Sequence, residues 1–245
     1  MSYRFFHTQP PVDAQFILSG DQAHHAINVM RYRVGDQIVI FDGQGTEHDA
    51  KIESLTKKQL TARLLDSRQL DRSLGRCITM IVALPKGDRQ KFLIEKLVEL
   101  GVTKLIPLAT QRSVAEVKPK VIERIEKQII EASKQCGRNF LMEVSPQTSI
   151  SQLCEADSES PCKITDETMK LLSHPYDSQP LTAFSLAPDQ PVAIAVGPEG
   201  GFTESEVASL LAAGWEPTRL GPTILRIETA AIAAVSILGI GGLSD

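Results

Sequence analysis

No stretch of this chain stays apolar for the roughly 20 residues that a helical membrane span requires. Its opening, MSYRFFHTQPP, lacks the apolar core of an export signal, so a cytoplasmic location is expected. Cysteine is scarce. The four present, Cys77, Cys136, Cys154 and Cys162, form no CxxC pair and no His/Cys ligand spacing. Idle thiols in a reducing compartment are expected, and no metal site. Internal repeats and low-complexity tracts are missing too. What remains is an ordinary globular composition: 245 residues, 42% hydrophobic and 23% charged, enough for one large domain or two small ones.

A dominant charge is also lacking, since the net value is only −4. The distribution is less even. Residues 84 to 140 hold 8 Lys and 4 Arg against 1 Asp and 6 Glu, a surplus of +5, whereas residues 141 to 245 hold 4 basic and 14 acidic groups, a balance of −10. A basic segment in an acidic protein can meet phosphates, although a solvated helix face has the same composition.

The chain changes character near residue 70. Before it, QFILS, DQIVIFDG, EHDAKIESL and KQLTARLLD are short strand-like runs, with DGQG (Asp42 to Gly45) as a hairpin turn and GDQAHHAINVMR as one short helix. A small barrel or sandwich fits these spacings. The polar DSRQLDRSLGR reads as the joint, giving domains at 1–70 and 76–245 with a linker at 71–75. Beyond it strands and helices alternate. CITMIVAL is a strand buried on both faces, GDRQKFLIEKLVELG a helix, TKLIPLAT a strand, KPKVIERIEKQIIEASKQ a long amphipathic helix, PCKITDE a short strand and VAIAVG a better one. TESEVASLLAAG is a helix opened by a capping box of Thr203 and Glu206. PTRLGPTILR is strand and loop, and ETAAIAAVSILG a last, alanine-rich helix. Alternation of this kind predicts an α/β domain with a parallel sheet, whose ligands sit at the carboxyl ends of the strands.

Two glycine-bearing corners stand out. In VGPEGGFT, Gly197, Gly200 and Gly201 free the backbone and Pro198 stiffens its entry. No GK[ST] follows and no GxGxxG is present, so neither a Walker loop nor a dinucleotide fingerprint is made. Glu199 would repel a phosphate, and a cationic or neutral ligand suits the corner better. A tight structural turn would use the same residues. In RLGPTILRIETA, Gly221-Pro222 breaks the chain before Arg226, Glu228 and a helix whose Ala230, Ala231, Ala233 and Ala234 allow close packing.

GPEGGFTESE followed by LGPTILRIETA resembles the RsmE family of the SPOUT, or trefoil-knotted, RNA methyltransferases. The likeness is colinear over nearly the whole chain. RFFH, HHAINVMRYRVGD and FDGQG are similar to that family's N-terminal PUA-like β-barrel domain, and LPKGDR, KLVELGVTKLIPLATQRSV and EASKQCGR to its middle. Two departures are visible: Ile227 stands where LRTETA would carry threonine, and RNFLMEV lacks a proline.

The resemblance implies an α/β fold with a C-terminal trefoil knot. The activity it implies is S-adenosylmethionine-dependent methylation of uridine N3 in small-subunit (16S) ribosomal RNA. Its cofactor residues map to Leu108, Thr110, Val196, Gly197, Gly201, Leu220, Ile224, Leu225, Arg226 and Thr229. Because uridine N3 carries a proton at neutral pH, the site must remove it or stabilise the resulting anion. Arg112 and Arg138 are candidates for the second task and Glu199 for the first, although phosphate binding, a surface ion pair or a backbone cap would employ the same groups. Arg4, Arg31, Arg33, Lys86 and Arg138 are the expected RNA contacts. His24 and His25 are expected to be packed or surface residues. Partners would be ribosomal RNA or the small subunit and a second copy of the chain. A SPOUT enzyme acting on a tRNA base or a ribose 2′-hydroxyl is the alternative within the fold, and a non-catalytic RNA- or ribosome-binding module the alternative outside it.

Overall fold

The computed structural model describes residues 4–56, 58–113, 116–155 and 164–240. Its backbone separates into two units, Met1–Ser73 with Ile130–Leu141, and Leu74–Ile129 with Met142–Asp245.

Among the described residues the first unit holds five strands, one short helical segment and the last turns of a long helix. The strands are β1 (Arg4–Phe6), β2 (Gln15–Ser19), β3 (Gln37–Phe41), β4 (Thr46–Thr56) and β5 (Gln59–Gln69). They form one sheet in the order β1-β3-β4-β5-β2, antiparallel except where β1 runs beside β3. Alternation along β2 and β4 puts Phe16, Leu18, Ala50 and Ile52 into a core closed by Ala23 and Ala26. Those alanines belong to α1 (Gly20–His24) and the π-helical turn that continues it through Val29, while His24 and His25 lie exposed. The β3–β4 turn is the predicted Asp42–Gly45 hairpin. Asp42 Oδ1 accepts from the amides of Gln44 and Thr46, and Gly45 stands at φ +103°, where a Cβ would meet the Phe140 ring at 2.5 Å.

The second unit is the predicted α/β assembly. In chain order it holds β6 (Ile78–Val82), α2 (Asp88–Glu99), β7 (Lys104–Ala109) and α3 (Pro119–Cys136), whose last turns fall in the first unit. Next come β8 (Glu143–Val144), β9 (Thr148–Ser149), α4 (Ile150–Cys154) and β10 (Met169–Ser173). The series ends with β11 (Gln179–Pro180), β12 (Val192–Val196), α5 (Glu204–Ala212), β13 (Glu216–Arg219) and α6 (Ile227–Ile240). The strands are all parallel, in the order β11-β13-β10-β12-β6-β7-β8, with β9 also beside β7. The central strand β12 is buried at every position, as its uninterrupted VAIAV run requires. α6, whose Ala230, Ala231 and Ala234 are buried, packs on α2, β6 and β12.

Several elements differ from the expectation. The strand expected at PCKITDE lies later, at Met169–Ser173. Residues 164–168 make a turn instead, with Thr168 N donating to Thr165 O at 3.0 Å. Residues 161–163, with Cys162, fall outside the described residues. The short α4, opened by a capping box between Ser149 and Gln152, and the short strands β1, β8, β9 and β11 were not anticipated.

Candidate functional site

The carboxyl ends of β10, β12 and β13 are adjacent in the sheet, and the segments that leave them enclose a cavity of about 370 Å³. That size lies within the range of small-ligand pockets. One wall is the glycine corner. Val196 O accepts the Ala83 amide at 3.1 Å, which holds the strand end against β6. Gly201 N then donates to Pro198 O at 2.8 Å, closing a turn that places Gly201 at φ +70°. A Cβ on Gly197 would come within 2.9 Å of the buried Phe202 ring, so the wall can be this close only because that residue is glycine. The second wall, residues 218–225, leaves β13, and Ile227 and Ala230 of α6 close its base. The third wall, Ser173–Tyr176, begins at the last residue of β10.

The expected cofactor residues divide accordingly. Val196, Gly197, Gly201, Leu220, Ile224 and Leu225 line the cavity. Leu108, Thr110, Arg226 and Thr229 do not appear in its lining. Leu108 is packed in the core beside Ile81 and Ile106, and Thr110 turns to Ser113, its amide 2.9 Å from Ser113 Oγ. Arg226 is exposed just before α6, and Thr229 is exposed in its first turn. The segment after β10 lines the cavity, and the segment after β7 reaches it through Arg112. The strand order explains the difference: β10 sits between β13 and β12, while β7 is separated from β12 by β6.

The charged groups are constrained. Arg112 lines the cavity and donates through Nη1 to Gly200 O at 2.6 Å. Its loop is held in turn by Glu206, whose Oε1 accepts the Gln111 amide at 2.7 Å and whose Oε2 accepts the Thr203 amide at 2.8 Å. The predicted capping box is therefore also a tie between α5 and the segment after β7. Glu199 lines the cavity, but its Oε1 lies 2.9 Å from Arg89 Nη1. Arg219 donates to Ser178 O. His174 packs edge-on against Tyr176, and burial pushes its imidazolium below the usual histidine range while Asp177 pulls weakly the other way.

The remaining expected residues lie elsewhere. Arg138 is buried in the first unit, with Nε donating to Phe140 O at 2.6 Å. Arg4, expected to face RNA, is instead consumed inside that unit. It donates to Ser133 O, Arg138 O, Glu47 and Asn139 and lies over the Phe41 ring. Arg31 and Arg33 are exposed on the same unit, and Lys86 is exposed between β6 and α2 of the other. Sequence reasoning missed His174, Tyr176, Arg219 and Arg89. Only Arg89 carried a local signal, a cation in the first turn of a helix, where the helix dipole disfavours it. Among the described residues no cluster of His, Cys, Asp or Glu could hold a metal ion, and no helix is long and apolar enough to cross a membrane.

Comparison with known proteins gives a consistent picture. Residues 73–239 match the family described as RNA methyltransferase domain, and residues 18–65 match the RNA methyltransferase PUA domain. The chain is 32% identical over 232 residues to the ribosomal RNA small subunit methyltransferase E of Bacillus subtilis, covering 91% of this chain and 89% of that protein. It is 31% identical to the protein of the same name from Synechocystis, covering 92% and 73%. Among solved structures it superposes with a TM-score of 0.86 and 30% identity on ribosomal RNA small subunit methyltransferase E from Neisseria gonorrhoeae bound to S-adenosyl methionine, covering 97% of both chains. A putative methyltransferase from Legionella pneumophila, in complex with the same cofactor, gives 0.85 and 31%, again covering 97% of both chains.

Proposed function

This chain belongs to the ribosomal RNA small subunit methyltransferase E family, and from that premise we propose that it methylates N3 of a uridine in 16S ribosomal RNA with S-adenosylmethionine. The observation that carries this reading is the cavity at the ends of β10, β12 and β13. Its glycine corner has no lysine, and its one carboxylate is already paired. A ligand without phosphate, bearing a sulfonium and able to bond backbone groups, fits such walls better than a nucleotide does.

In this reading Val196, Gly197, Gly201, Leu220, Ile224 and Leu225 hold the cofactor, joined by the segment Ser173–Tyr176. The cofactor supplies the methyl group to be transferred. The protein's task is to hold donor and base in line and to stabilise charge on the uracil as its N3 proton leaves. Arg112 is the cation that lines the cavity nearest the glycine corner, and it takes the role of stabilising the uracil carbonyl oxygens. Arg138 is reserved for the first unit, where burial depresses its pKa and its guanidinium is bonded. Arg31, Arg33 and Lys86 are the phosphate contacts. The trefoil threading of the C-terminal segment belongs to the same proposal, as do a cytoplasmic location and a homodimer.

The test is methyl transfer from labelled cofactor to naked 16S rRNA, assembled small subunits and tRNA in parallel, with the modified nucleotide mapped. Label at uracil N3 in the ribosomal RNA is expected. Label confined to tRNA, or found on ribose, overturns the reading.

A further inference from the structure

The first turn of α2 contains Arg89, a cation where the positive end of the helix dipole works against it. Two carboxylates face it. Arg89 Nη1 is 2.9 Å from Glu199 Oε1, in the glycine corner, and 3.9 Å from Glu228 Oε2, in the first turn of α6. Glu228 is only 8% exposed, and its Oε2 has no hydrogen-bond partner. A buried carboxylate in that condition needs a cation nearby. Arg89 therefore joins three separate pieces of chain: the start of α2, the wall formed by residues 197–201, and the start of α6. It does not itself line the cavity.

The corner has a second brace. Arg112 Nη1 donates to Gly200 O at 2.6 Å, and a Cβ on Gly200 would lie 3.2 Å from Arg112 Cδ. Glu199 is thus gripped through its side chain by Arg89 while the next residue is gripped through its carbonyl by Arg112. A glycine-rich turn has high conformational entropy when free, so fixing its shape beforehand reduces what a ligand must supply on binding.

We propose that Arg89 is a positioning residue that shapes the cofactor wall by holding the Glu199 carboxylate, with Glu228 as its buried counter-charge. Glu199 is then the anchor of the corner and not the group that accepts the uridine N3 proton. This rests on the reading of the cavity as the S-adenosylmethionine site.

The test compares Arg89→Ala, Arg89→Lys, Glu199→Gln and the double variant Arg89→Ala/Glu199→Gln with the unaltered protein. Lys91→Ala, an exposed neighbour on α2 paired with Glu95, is the control. Cofactor affinity is read by calorimetry, and KM for the cofactor, kcat and its pH profile by methyl transfer at saturating RNA. Arg89→Ala should raise KM for the cofactor about tenfold and leave kcat within about twofold, a binding loss of roughly 1.4 kcal/mol. Arg89→Lys should recover most of that loss. Glu199→Gln should leave the shape of the pH profile intact, and the double variant should be no worse than Arg89→Ala, because one interaction has been removed twice. If Arg89→Ala does not fold, Arg89→Lys and Glu199→Gln carry the same comparison. A hundredfold fall in kcat with a lost limb of the pH profile in Glu199→Gln overturns the proposal, as do multiplying effects in the double variant. Failure of the unaltered protein to bind the cofactor would instead overturn the functional reading beneath it.

Discussion

Glu47 lies almost wholly out of water in the first unit and collects three guanidinium groups. Arg68 reaches Oε1 at 2.8 Å, and Arg4 and Arg72 reach Oε2 at 3.1 and 3.2 Å. Burial alone would raise its pKa. The hydrogen bonds from Arg68 and Arg72 and the charges of Arg4 and Arg72 overcome that and hold it below the ordinary carboxylate range. A depressed folded-state pKa stabilises above the unfolded value of about 4.3 and is lost as pH falls through the folded value. Glu47→Gln should therefore weaken the first unit by about 3 kcal/mol at pH 7, in the range for breaking a buried pair. The deficit should shrink below about pH 4. Amide exchange of β4 and β5 measures it, and a deficit independent of pH would refute the charge-based account. The same cluster shows why Arg4 misleads a reader of sequence. RFF looks like an exposed basic start, and nothing local reveals that its partners Glu47 and Asn139 are 43 and 135 residues away.

At the scale of elements, the features written in short-range code were legible. The alternating strands, the Asp42–Gly45 turn, the amphipathic α3 and the Thr203–Glu206 box all follow from neighbours within a few residues. The box at Ser149–Gln152 uses the same code in the run SISQ, but its five-residue helix is too short to show a periodic face. Half of the cavity was legible for the same reason: a glycine corner announces itself. The segment Ser173–Tyr176 did not, because SHPY has no special backbone need, and it reaches the site only through the placement of β10 between β12 and β13. Loss of the α5 cap gives a prediction at this scale. Thr203→Ala should cost about 1 kcal/mol, as a lost N-cap does. Glu206→Ala should cost more, about 2 to 3 kcal/mol, since it strands the amides of both Gln111 and Thr203. Chemical denaturation followed by fluorescence of the single tryptophan, Trp215, whose ring is buried beside α5 in the same core, reads both. Equal losses would show that the tie to Gln111 contributes nothing.

For the whole molecule the deciding quantity is charge. A protein of net −4 whose last 105 residues carry −10 cannot draw in RNA by its overall field. On the proposed reading, attraction comes from a few placed cations, such as the exposed Arg31, Arg33 and Lys86. Each neutralised phosphate releases counterions, so the logarithm of affinity falls with the logarithm of salt concentration at a slope of about 0.7 to 0.9 per contact. Three to five contacts predict a slope of roughly −2 to −4.5 for a 16S rRNA fragment, well short of a protein that wraps nucleic acid on a broad basic surface. Lys86→Ala should weaken binding uniformly across RNA sequences and flatten the slope by about one unit. Binding titrations between low and moderate salt decide it. A slope near zero would remove phosphate contacts from the interaction altogether. A slope near −8 would require a basic surface larger than these residues can form.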